Sequence, residues 1–227
     1  MERLDRRTEM TDGTSNGSSS GQNAHGIGSR LREVRQARGL SVRELARRAS
    51  VSPSLVSQVE LGRINPSVST LYAMAQVLNL SIDKLFTDAG QGEKGSNGEN
   101  EIGTRPTNGP VQRGISRQAI QLASGVVWER LTTMPDEDVE FLYVTYDVGG
   151  ASCPKDAMIR HGGREYGYLA SGRLGIQIGF DKYELYPGDS FSFNGHTPHR
   201  IWAIGGKPAT AIWVILNRHG DDKRLLA

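Results

Sequence analysis

From residue 27 onward, apolar side chains recur at helical intervals. Ile27, Leu31 and Val34 share one face and Gly39 stands as a C′ residue, which predicts a first helix. Ser41 is placed to cap a second helix, with Glu44 three residues later as in a capping box and Leu45, Ala46 and Ala49 facing inward. Ser52 can cap a third, which starts on Pro53 and buries Val56 and Val59. Ser67, Leu71, Ala75 and Leu78 mark a fourth helix, and Ser81, Ile82, Leu85 and Phe86 a fifth. Five short helices over residues 27–87 predict a small all-α domain.

Beyond residue 110 the period changes to two. Leu174, Ile176, Ile178 and Phe180 alternate with Arg173, Gly175, Gln177 and Gly179, the pattern of a half-buried strand. Similar runs at about 126–133, 139–148, 165–170, 182–186, 190–194, 200–204 and 209–216 have Gly, Pro or Asp between most of them, and predict an all-β sandwich or barrel over residues 111–219. Residues 1–26 hold too little apolar surface to offset the entropy of ordering and are expected to be a disordered tail. Residues 88–110, rich in Gly, Asn and charge, read as a flexible linker that joins the domains loosely, and residues 220–227 as a C-terminal tail.

Composition narrows the class. Cys153 is the single cysteine, so no disulfide can form within one chain and nothing argues for an oxidising compartment. The first residues lack the apolar core of a secretory signal, and no run approaches the ~18 apolar residues that span a bilayer. The expectation is a soluble, cytoplasmic protein without a membrane partner. Net charge is only +2, but it is unevenly spread. Residues 27–87 carry nine Arg or Lys against four acids, whereas residues 110–227 carry thirteen of each. A basic domain beside a neutral one is the footprint expected when only the first binds a polyanion.

The second and third helices, joined by a tight turn, have the form of a helix-turn-helix whose second helix enters the major groove. Its outward positions, Ser54, Ser57 and Gln58, are short or amide side chains able to bond base edges. On spacing alone, a generic helical hairpin with solvated polar faces remains the alternative. The stretch from Ser41 to Phe86, with its LAR segment, the S-x-x-E-x-G run at Ser57, Glu60 and Gly62, the NPS loop at 65–67 and the LF ending at 85–86, resembles the phage-repressor-like, xenobiotic-response-element class of helix-turn-helix regulators. The resemblance covers essentially all of residues 27–87. It implies that Ser54, Ser57 and Gln58 face the bases of double-stranded DNA, with Pro53 at the helix start behind the Ser52 cap, all five within the DNA-binding segment. Arg43, Arg63 and the segment Asn65 to Ser67 would hold phosphates. Many relatives carry Gln, which supports the backbone contact, where this chain has Val42, so the chain departs from the class at that position. Arg35 and Glu60 match a pair that ties the first helix to the end of the third, a structural role.

In the β-rich half, His161 and Glu165 lie four apart and the segment 187–200 includes His199. Two histidines and a carboxylate can form a facial set that leaves open positions on an ion such as Fe(II). The same groups can instead line a polar cavity or bond one another. Residues 126–217 are similar to the cupins, small jelly-roll barrels. The matching motifs are H-x-x-x-E followed by a glycine (His161, Glu165, Gly172), and Pro187, Gly188 and Asp189 ahead of the Pro198-His199 pair. The full cupin set has a further histidine where this chain has Ile159, so the resemblance implies three ligands, His161, Glu165 and His199, for Fe, Mn, Ni or Zn. Tyr166, Tyr168, Phe191, Phe193 and Trp202, with Trp213, are candidates to line an effector pocket, although aromatic residues in strands can equally be core.

The order of the two domains resembles a group of bacterial regulators in which the barrel recognises a small molecule. The expectation is a multidomain, non-enzymatic, sequence-specific DNA-binding regulator of transcription: a five-helix helix-turn-helix domain joined to a ligand-sensing cupin jelly roll, acting as a homodimer. The alternative is a mononuclear non-haem iron enzyme of the hydroxypropylphosphonate epoxidase type, which has the same domain order.

Overall fold

The computed structural model describes residues 19–86, 109–136 and 138–218. The expected tail before residue 19, most of the expected linker and residues 219–227 lie outside the described residues. Helix α1 spans Ser19–Ala37 and so begins inside the stretch expected as a tail. It is followed by α2 (Val42–Arg48), α3 (Pro53–Glu60) and α4 (Val68–Val77). Each of the last three is capped by the serine in front of it. The Ser41, Ser52 and Ser67 hydroxyls accept from the amides of Glu44, Leu55 and Thr70, all at 3.1 Å.

The expected fifth helix is not an α-helix. Ile82–Leu85 forms one 3₁₀ turn, closed by the Phe86 amide donating to the Asp83 carbonyl, with Phe86 already extended. Only four residues separate the Ser81 cap from that bend. They are too few for an α-helical ladder, so the domain among the described residues has four α-helices.

The helices close on Leu31, Leu45, Val56, Leu71, Met74, Leu78, Ile82 and Leu85, all fully buried. Contact between α1 and α3 depends on Gly28, where a Cβ would stand 2.1 Å from the Val59 carbonyl oxygen. Beneath this crossing Arg35 reaches Glu60 through two hydrogen bonds, Nε to Oε1 at 2.6 Å and Nη2 to Oε2 at 2.8 Å. Both side chains are buried, and Arg35 Nη1 also donates to the Leu40 carbonyl.

The second domain is a two-sheet antiparallel barrel. Its strands are β1 (Ala119–Leu122), β2 (Val126–Arg130), β3 (Val139–Tyr146), β4 (Arg164–Ser171), β5 (Leu174–Ile178), β6 (Asp181–Leu185), β7 (Ser190–Asn194), β8 (His199–Ala203) and β9 (Ala209–Leu216). Six of them form a sheet in the order β1-β2-β3-β9-β4-β7, and β6-β5-β8 form the other. β1 had no counterpart among the expected strands, since four residues give too short an alternation to read. Every second residue of β3 and β9 is buried, which sends Leu142, Val144, Ala211, Trp213 and Ile215 into the barrel.

The domains touch directly, which differs from the expected loose tether. The Ala123 amide donates to the Pro66 carbonyl at 3.0 Å, and the Asp136 amide donates to Asp83 Oδ2 at 2.8 Å. Arg218 Nη2 donates to the Tyr72 hydroxyl at 3.0 Å. No described helix is long and apolar enough to cross a membrane.

Candidate functional site

The first candidate surface is the outer side of α2 and α3. Val56 and Val59 anchor α3 in the core, so its other side is left facing solvent. Ser52, Pro53, Ser54 and Gln58 are exposed and Ser57 is half-buried, with Gln58 Nε2 donating to Ser54 Oγ at 3.3 Å. Arg43 and Arg63 are exposed as well, while Asn65 and Ser67 are half-buried at the start of α4. Ser67 spends its hydroxyl on capping and on Ser69 and Thr70. Because these exposures include the barrel, the docked second domain leaves the α3 face open.

The second candidate lies inside the barrel. His161 precedes β4, Glu165 stands on β4 and His199 opens β8, and all three are buried. His161 Nε2 is 2.9 Å from Glu165 Oε1, and His199 Nε2 is 3.2 Å from the same oxygen. Each imidazole turns its other nitrogen to a backbone carbonyl, His161 Nδ1 to Gly162 at 2.9 Å and His199 Nδ1 to Thr197 at 2.8 Å. A carbonyl can only accept, so Nδ1 carries the proton and Nε2 presents a lone pair to the cluster. Trp213 Nε1 donates to Glu165 Oε2 at 2.8 Å and leaves Oε1 for the centre. Gly195 permits the arrangement, since a Cβ there would sit 2.8 Å from His161 Nδ1.

Three lone-pair donors therefore converge within 4.8 Å of one another without a proton to share. Such a set repels itself unless a cation lies between, so these residues fit a metal ion. The electrostatics agree. Burial opposes the charge on Glu165, yet its carboxyl is held at about 2 in surroundings that include the Arg218 cation, which keeps it ionised and able to ligate. The His199 pKa is lowered, chiefly by desolvation, which favours the neutral, ligating form. Among the described residues this is the group of His, Cys, Asp and Glu able to hold an ion.

The cavity beside the cluster offers about 20 Å³, room for one water or ion. Its walls include Trp128, Tyr146, Ile159 and Trp213 from the barrel, but also Val68 and Tyr72 from α4. Tyr72 gave no signal in the sequence, where its place on a core helix reads as helix–helix packing. Its ring lies 4.8 Å from that of His161 and 5.2 Å from Trp128. Arg218, also unforeseen, pairs its Nε with Glu140 Oε1 at 2.7 Å.

The aromatic residues expected around a pocket divide by strand parity. Phe191 and Phe193 face the interior with Glu165, Phe191 against Trp213 and Phe193 against His199. Tyr166 and Tyr168 stand on the outer face of the six-stranded sheet with Val214 and Ile212, away from the cluster. Trp202 lies across Gly175 on the outside of the three-stranded sheet. None of these five borders the cavity beside His161, and of the expected aromatic residues Trp213 alone does.

Comparison with known proteins adds the following. A helix-turn-helix family model matches residues 31–85 and a cupin-domain model matches residues 142–215. The HTH-type transcriptional regulator PuuR of Escherichia coli is 26% identical over 172 residues, 76% of this chain and 84% of that one. The uncharacterized HTH-type transcriptional regulator y4dJ of Sinorhizobium fredii is 39% identical over 61 residues, 27% of this chain and 79% of its own length. A solved helix-turn-helix family transcriptional regulator from Vibrio cholerae superposes with a TM-score of 0.60 at 19% identity, covering 87% of this chain and 98% of that one.

Proposed function

We propose that this chain, which carries a helix-turn-helix domain and a cupin domain, is a transcriptional regulator that reads a specific DNA sequence and adjusts its affinity to a small effector bound in the barrel. Within this reading Ser54, Ser57 and Gln58 read bases, Arg43, Arg63 and the loop from Asn65 to Ser67 hold phosphates, and the protein works in the cytoplasm. His161, Glu165 and His199 hold a divalent ion, which when bound supplies open coordination for an oxygen-bearing effector. Two copies pair to present two α3 helices to an inverted repeat. The exposed outer face with Tyr166 and Tyr168 is the surface proposed to join them.

The observation that carries the proposal is that α3 keeps its polar face open while α4, in the same small domain, walls the ion-binding cavity. An effector in the barrel thus has a direct route to the reading head. The iron-enzyme alternative shares the three ligands, but an enzyme has no use for the open polar face that α3 keeps. The test begins by selecting a preferred site from random duplexes. Gln58→Ala should then lose about 1–3 kcal/mol on that site and little on unrelated DNA. Equal losses on both would remove the base-reading role. Elemental analysis after anaerobic reconstitution should find one metal per chain, lost in His161→Ala and in His199→Ala.

A further inference from the structure

Tyr72 does not belong to the packed face of its own helix. The buried residues of α4 are Val68, Leu71, Met74 and Ala75, whereas Tyr72 leaves the helical domain and enters the mouth of the barrel. Everything that grips it there comes from the second domain. The Trp128 and His161 rings flank it at 5.2 and 4.8 Å, and the Arg218 guanidinium lies 4.2 Å from its ring centre while donating to its hydroxyl. The Tyr72 hydroxyl acts as the acceptor for Arg218.

We propose that Tyr72 is a built-in occupant of the barrel's ligand recess, and that the recess takes a small phenol or aromatic carboxylate in its place. This deepens the effector-sensing reading and rests on it. The argument is one of space and chemistry. With Tyr72 seated, the remaining volume of about 20 Å³ admits an ion or a water and no organic molecule. With Tyr72 withdrawn, what it leaves is a space bordered by the Trp128 and His161 rings and by the Arg218 guanidinium, which lies over the ring and donates to its hydroxyl. That set recognises a planar ring carrying an oxygen acceptor. A carboxylate would improve on the phenol, because a charge-assisted bond to Arg218 replaces a neutral one.

Withdrawal has a mechanical consequence. Tyr72 is fixed to α4, so expelling it draws on the contacts that hold the domains together, Pro66 to Ala123 and Asp83 to Asp136. Ligand entry and domain docking therefore oppose each other, and each must weaken the other by the same factor.

The test uses the full chain, with 4-methylphenol and benzoate as probes, calorimetry for affinity and small-angle X-ray scattering for expansion. Tyr72→Ala should bind 4-methylphenol at least tenfold more tightly than wild type and without a change in radius of gyration. Wild type should bind more weakly and only with expansion, and Tyr72→Phe, which keeps the ring, should behave as wild type does. If the alanine variant does not fold by circular dichroism, Tyr72→Leu is measured in the same way. Binding to the truncated variant no tighter than to wild type, no binding to it at all, or binding to wild type without expansion would each overturn the proposal. Probe binding as expected with no change in DNA affinity would instead remove the sensing role and leave the recess assignment standing.

Discussion

Asp83 shows how one side chain records the meeting of two domains. Its carboxylate is fully buried, accepts from the Asp136 amide and lies 3.9 Å from Arg130, and desolvation raises its pKa to about 6. The folded protein thus binds this proton more tightly than the unfolded chain does. Its stabilising contribution is complete below the ordinary value of 3.8 and is lost as pH rises through about 6. Asp83→Asn keeps an acceptor for the amide and removes the titration. Melting curves should show the variant gaining on wild type between pH 4 and pH 7, and a constant difference across that range would refute the assignment. Parity was the legible signal at this scale. Once Glu165 is a ligand facing inward, alternation places Tyr166 and Tyr168 outside, and His199 does the same for Arg200 and Trp202. Composition alone had grouped these aromatics with the pocket, and only the register separates them.

Among the elements, the helices were the most legible, because serine capping is a local event. Ser41, Ser52 and Ser67 stop one chain direction and start another without help from distant residues. The 3₁₀ turn at Ile82–Leu85 was not legible, since its length is set by Asp83 and Phe86 turning toward the barrel. The pairing of α1 with α3 yields a quantitative expectation. Removing one member of the buried Arg35–Glu60 pair strands the other charge, so Arg35→Ala should cost about 3–5 kcal/mol in urea unfolding, whereas replacing both with apolar residues of similar volume should cost much less. Comparable losses in the single and double variants would show that packing, rather than the stranded charge, sets the cost.

For the whole molecule, one short reading helix covers only a few base pairs, so the DNA-bound species is expected to be a dimer. Its half-sites should be about 34–36 Å apart or a multiple of that. Affinity should fall steeply with salt as Arg43, Arg63 and their neighbours displace counterions. Footprinting with analytical ultracentrifugation checks both, and a monomer on a single half-site would contradict the pairing. Docking of the two domains was invisible in the sequence, because Tyr72 meets Arg218 across 146 positions and no periodicity records such a meeting. The same closure sets a clock. Glu165, His161 and His199 are all but sealed from solvent and α4 forms part of the wall beside them, so an ion held there is expected to leave when α4 lifts. Its release to a chelator would then proceed at the rate of that opening, indifferent to how much chelator waits outside.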